Sequence, residues 1–157
     1  MARIVLRRAR LADLELLVEH RRRMWEDMGK HQPSLVRGAD APYRKWARAR
    51  LRDGMLVGWV ATSGRAAVAS GCVWLQPVQP RPGDDSGLRP YLLSMFTEPA
   101  WRGRGIARRI VREAMRWARR EGHGWMSLHA SDAGRSVYEG LGFERTSEMW
   151  RRLAPPR

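Results

Sequence analysis

Residues Tyr91 to Gly122 read YLLSMFTEPAWRGRGIARRIVREAMRWARREG. The first seven, Tyr91 to Thr97, are mostly apolar or aromatic and predict a strand that runs into Glu98-Pro99. Beyond Arg102-Gly103-Arg104-Gly105, apolar residues recur at Ile106, Ile110, Ala114 and Ala118, with Val111 and Met115 beside them. That spacing is one face of a helix, and its other positions are almost all arginine. The first turn of a helix carries free N–H groups and the positive end of the helix dipole, so it attracts anions. Gly103 and Gly105 permit backbone angles closed to other residues and let a phosphate come close. Arg102 and Arg104 add positive charge, and the junction is predicted to hold a pyrophosphate.

Two common phosphate-binding patterns do not fit. A dinucleotide fingerprint needs a third glycine and an acidic residue closing a second strand, and a P-loop needs Gly-Lys-Ser/Thr. The junction instead resembles the acetyl-coenzyme A signature of the GCN5-related N-acetyltransferases (GNAT), Arg/Gln-x-x-Gly-x-Gly/Ala, here Arg102-x-x-Gly105-x-Ala107. A second segment, Ser131 to Phe143, resembles the family pattern Asn-x-x-Ala-x-x-x-Tyr-x-x-x-Gly-Phe. Tyr138, Gly142 and Phe143 match it; Ser131 and Gly134 depart from it, standing where Asn and Ala are usual. The resemblance extends over essentially the whole chain.

The chain has 157 residues, which predicts one domain over 1–157. The opening MARIVLRRARLADLELL is broken by arginines before any long apolar run, so neither a targeting segment nor a membrane span is expected. A single cysteine, Cys72, fits a reducing cytoplasm and reads as a core thiol. The formal charge of +14 raises the possibility of a nucleic-acid partner. Against it, the excess is nearly all arginine, is spread along the chain, and lacks the interleaved aromatics that stack single-stranded bases. A nucleic-acid partner is therefore not expected, although an arginine-rich nucleic-acid binder stays as an alternative.

In chain order, Ile4 to Leu6 predicts a strand and Ala12 to Met28 a helix. Gly29 to Gly38 reads as a polar loop, and a second helix is predicted over Pro42–Asp53, capped by Asp40. Met55 to Thr62 and Ala66 to Pro77 predict a hairpin, with Gly71 marking a bulge or a close approach by another backbone. The segment from Gln76 to Pro90 is a Pro/Gly-rich loop, a candidate border of an acceptor site. Strands at Trp125–Ala130 and Phe143–Leu153 are expected to enclose a short helix that ends at Leu141, before the tail Ala154-Pro155-Pro156-Arg157. The resulting expectation is an α/β (α+β) fold of the GNAT type. It has a mixed central sheet of six to seven strands, about four helices, and parallel strands that splay at the coenzyme site.

The resemblance implies an enzyme that uses acetyl-coenzyme A, without a metal, to acetylate a primary amine of a small molecule or protein by direct attack. It implies cofactor contacts at Met95, Phe96, Thr97, Arg102, Gly103, Arg104, Gly105, Ile106, Ala107, Ser131 and Tyr138. Tyr138 is the expected proton donor to the leaving thiolate, and a backbone N–H near Met95 the expected oxyanion donor. For the general base, Glu98 is the first candidate; His129, Glu26, Asp27, His31 and a water chain are the others. Trp25 and Trp101 are candidate pocket walls, whereas most of the eight tryptophans read as core. A non-catalytic acyl-coenzyme A-binding regulatory module is the first alternative, ahead of the nucleic-acid binder. A short C-terminal end would leave an edge strand open to a partner subunit, so a homodimer is a further expectation.

Overall fold

The computed structural model describes residues 3–153; the tail proposed at 154–157 lies outside them. Strand β1 (Ile4–Arg8) leads into helix α1 (Leu14–Met28), followed by α2 (Pro33–Gly38) and α3 (Asp40–Arg52). A hairpin of β2 (Leu56–Ser63) and β3 (Ala66–Pro77) precedes β4 (Leu88–Thr97), and α4 (Ile106–Arg120) follows. A two-residue strand β5 (Ser127–Leu128) and a short helix α5 (Arg135–Glu139) complete the described elements. The sheet order is β1-β2-β3-β4-β5. Pairing is antiparallel up to β4 and parallel between β4 and β5.

Helices cover both faces of the sheet, and the sequence periodicities decide which residues meet. The apolar stripe of α4 (Ile106, Ile110, Val111, Ala114, Trp117 and Ala118) is buried against Trp59, Ala61, Ala69, Val73 and Leu92. On the other face, Leu14, Leu17 and Val18 of α1 join Tyr43 and Ala47 of α3 over Leu56 and Cys72. Cys72 is the core thiol expected, and burial pushes its pKa up to about 12. No helix among the described residues is long and apolar enough to cross a membrane.

Several expectations need correction. The described residues form five strands rather than six or seven. Phe143 to Leu153 is not a strand: ERTSE has no period-two alternation, and Met149, Trp150 and Leu153 are exposed. Trp125–Ala130 contracts to two ladder residues because only Ser127 and Leu128 pair with β4. The described residues hold five α-helices, in keeping with the four or so expected; the supposed loop after Gly29 contains α2, started by Pro33 and anchored by buried Val36. Asp40 does not cap α3; its carboxylate accepts a 2.8 Å hydrogen bond from Arg22 of α1.

Candidate functional site

Gly71 organises the centre of the sheet. Ser70 pairs with Phe96 and Cys72 with Leu93, so Ser94 and Met95 together face Gly71. Two residues opposite one make a β-bulge, and Ser94 adopts φ +54° to form it. The close neighbours of Gly71 are side chains, not another backbone: a Cβ there would lie 2.1 Å from Met95 Sδ and 3.0 Å from Ile110 Cγ2. On its other side β4 pairs with β5 only at Tyr91 and Leu92. From Leu93 to Thr97 that edge has no strand partner among the described residues, so the bulge and the splay coincide.

The splayed edge leads to the start of α4. Gly103 and Gly105 have φ +72° and +73°, and a Cβ at either would meet nothing within 4 Å. Glycine is needed there for the backbone angle, and the space outside is open. Gly105 is the N-cap and α4 has no side-chain cap; the first helical bond runs from Arg109 N–H to the Gly105 carbonyl. The amides from Gly105 to Arg108 therefore precede the helical ladder and are available to an anion. The arginine side chains take other partners. Arg102 Nε donates to the Thr97 carbonyl at 2.9 Å and its Nη2 pairs with Asp27 of α1, while Arg104 lies over the Trp101 ring. Thr97 thus has its carbonyl occupied, and the anion donors at this junction are the backbone amides together with Arg104, whose side chain has only the ring contact among the described residues.

Glu98, at the end of β4, accepts hydrogen bonds from both terminal nitrogens of Arg23, one at 2.7 Å. These bonds hold its carboxyl below the usual glutamate range. His20 of α1, 2% exposed, lies beside the pair: Nε2 is 3.9 Å from Glu98 Oε1, and Nδ1 is 2.8 Å from Ser70 Oγ. The Phe96 ring stacks at a tilt against the imidazole, and burial lowers the His20 pKa. Sequence reasoning missed His20 because three arginines follow it. The available signal was its spacing of three from Leu17, which puts it on the buried face of α1.

Tyr138, on α5, is part-buried against the α4 core, edge-on to Phe143. Burial raises its pKa, so it is a neutral phenol near pH 7. A Cβ on Gly134 would stand 3.0 Å from its ring, so an alanine there, as in the family pattern, would need the ring to move by a few tenths of an ångström. Ser131 Oγ accepts the Gly134 N–H at 3.2 Å and so shapes the turn that presents Tyr138.

The other candidate bases have partners of their own. His129, just beyond β5, bonds to the Tyr91 hydroxyl through Nδ1 and to Glu148 through Nε2 at 3.3 Å. Trp25 meets His31 edge to face near the end of α1, and Asp27 is paired with Arg102. Arg22 has Glu26 at 3.9 Å.

A family model described as "Acetyltransferase (GNAT) domain" matches residues 56–145. N-acetyltransferase 8F1 of Rattus norvegicus is 33% identical over 95 residues, covering 59% of this chain and 41% of that protein. The chain thus spans about two fifths of the length of such mammalian relatives. Aminoglycoside N(6')-acetyltransferase type 1 of Salmonella typhimurium is 26% identical over 102 residues, 63% of this chain and 62% of that one. A crystal structure of a GCN5-related N-acetyltransferase from Ralstonia eutropha superimposes with a TM-score of 0.90 at 28% identity, covering 98% of this chain and 100% of that one. A predicted acetyltransferase with acetyl-CoA from Clostridium acetobutylicum gives 0.87 at 28% identity, covering 97% and 96%.

Proposed function

The chain belongs to the GNAT acetyltransferase family, and from that premise we propose that it is, as a single domain, an acetyl-coenzyme A-dependent N-acetyltransferase acting on a primary amine. The observation that carries this reading is the continuity of three features: the unpartnered β4 edge, the bulge at Ser94-Met95, and the uncapped start of α4. An extended pantetheine arm can bond such an edge as a strand would. Amides around Gly103 to Ala107 suit its pyrophosphate. Acetyl-coenzyme A supplies the activated acyl group as a thioester.

The residues of this chain divide the remaining work. A backbone N–H at the bulge, near Met95, is placed to stabilise negative charge on the carbonyl oxygen as a neutral amine attacks. Tyr138, a neutral phenol, gives its proton to the departing sulfur. Glu98, ionised and held by Arg23, is a weak direct base and serves mainly to tie β4 to α1, so proton removal from the amine runs through water. The acceptor is a small-molecule or protein amine. The similarity to an aminoglycoside acetyltransferase supports the first; the strongly positive net charge works against polycations in general, aminoglycosides included, unless the pocket itself carries negative charge.

The test is free-thiol release from acetyl-coenzyme A with tobramycin, a lysine-containing peptide and spermidine as acceptors. Wild type is expected to release thiol with at least one of them, and Tyr138→Phe to be roughly 100-fold slower or worse while still binding coenzyme. Coenzyme binding without turnover of any amine would favour the non-catalytic module.

A further inference from the structure

The arginines do not spread evenly once the chain is folded. Arg7 and Arg8 of β1 and Arg109, Arg112, Arg116 and Arg120 of α4 line one groove of about 510 Å³. It lies along the flank of α4 on the β1 side, at the opposite edge of the sheet from β5. Asp13 pairs with Arg7, and Glu113 is shared by Arg116 and Arg120. Six guanidinium groups against two carboxylates leave an excess of four positive charges, and among the described residues Arg8, Arg109 and Arg112 have no carboxylate in ion-pair reach. Along α4 the stripe is regular: steps of three or four residues separate the arginines by about 4.5–6 Å of helix rise.

We propose that this groove is a second anion site that binds a compact chain of linked phosphates, such as inorganic tripolyphosphate or the phosphate tail of a nucleotide. Guanidinium forks match phosphate oxygens bidentately, and the crowding of like charges calls for a ligand with several negative charges in a short length. The floor argues for recognition by charge alone. Trp59 is 2% exposed and lies under Arg8, whose guanidinium is 5.0 Å from its ring centroid. No aromatic face is open for stacking a single-stranded base, and no apolar socket is offered to a protein anchor. Burial lowers the pKa of Arg8, a cost that a bound anion would offset.

The test is calorimetric titration with sodium tripolyphosphate at about 0.15 M salt, where charges beyond about 8 Å are screened. Wild type is expected to bind one equivalent with a micromolar Kd. Arg112→Gln/Arg116→Gln should weaken binding at least tenfold. Arg48→Gln/Arg52→Gln, an equal loss of charge on the basic face of α3, should change it less than twofold. Gly105→Glu should also leave it within twofold. Equal losses in the two arginine pairs would show diffuse attraction, and loss in Gly105→Glu would place the phosphates at the start of α4; either overturns the proposal. So would no binding by wild type, or tighter binding of a ten-residue oligothymidylate than of tripolyphosphate.

Discussion

Replacing Gly71 with alanine tests how the bulge is built. The new methyl would lie 2.1 Å from Met95 Sδ, against the 3.5–4.0 Å at which non-bonded heavy atoms normally sit. Met95 is flexible and can rotate, but the same methyl is also 3.0 Å from Cγ2 of Ile110, which is fully buried. Overpacking of this kind costs about 1–3 kcal/mol. The reduced freedom of the unfolded chain returns about 0.4–1 kcal/mol, because Gly71 has no positive φ to make alanine strained. A net loss of about 1–2 kcal/mol corresponds to a fall in Tm of about 2–8 °C for a chain of this size. The assay is thermal unfolding by circular dichroism, paired with calorimetric titration of acetyl-coenzyme A. Displaced Met95 should also weaken the coenzyme, since it sits on the splayed edge. Adding Met95→Ala should make the double variant less destabilised than the sum of the singles, by about 0.5 kcal/mol or more. An unchanged Tm with unchanged coenzyme affinity, or strictly additive variants, would refute the idea that glycine is there to admit Met95.

Acid stability reports on the two titrating groups at the end of β4. The folded pKa of Glu98 lies below its ordinary 4.5, so its ion pair with Arg23 stabilises above that pH and is lost as pH falls through the folded value. Glu98→Gln should cost about 1 kcal/mol at pH 7, and its Tm gap from wild type should close below pH 4.5; a gap constant down to pH 3 contradicts the pairing. The folded pKa of His20 is also depressed, here below 6.5 by burial, with nearby Glu98 opposing the shift. Its neutral form stabilises above pH 6.5 and that contribution fades on acidification, so His20→Gln should unfold with a flatter pH dependence between 6.5 and 5; parallel curves would argue against a buried neutral imidazole. Gly103→Ala should lose about 1–2 kcal/mol from its positive φ alone, and Gly103→Asn less; equal effects in chemical denaturation would show that angle is not the constraint.

The parts of this protein written in local pattern were legible. The four-residue spacing from Ile106 to Ala118 defined the buried face of α4, and the glycines before it marked the turn that starts it. The hairpin across Gly64 and the bulge at Gly71 were likewise carried by single residues. What escaped depends on distance in the chain. Glu98 and Arg23 are 75 residues apart, and His20 meets Ser70 across 50, so their pairing follows from the packing of α1 on β4 and not from any motif. Arg102 matched the signature, yet its side chain turns back to Thr97 and Asp27. The supposed last strand failed because eleven residues with apolar ends were read as extended, although nothing pairs with them among the described residues. The arginine groove was hidden in a composition that looked uniform and took shape only when β1 was laid beside α4.

The central claim is that the coenzyme lies with its pyrophosphate on the amides that open α4. Calorimetric titration of acetyl-coenzyme A into wild type and into Gly105→Glu tests it most directly. The substitution puts a side chain with a negative charge at the N-cap, where φ is +73° and the space is open. We predict micromolar binding to wild type and a loss of at least 100-fold, about 2.7 kcal/mol, in a variant whose circular dichroism shows it folded. A folded variant that binds as tightly as wild type, or a wild type that does not bind, would contradict the account.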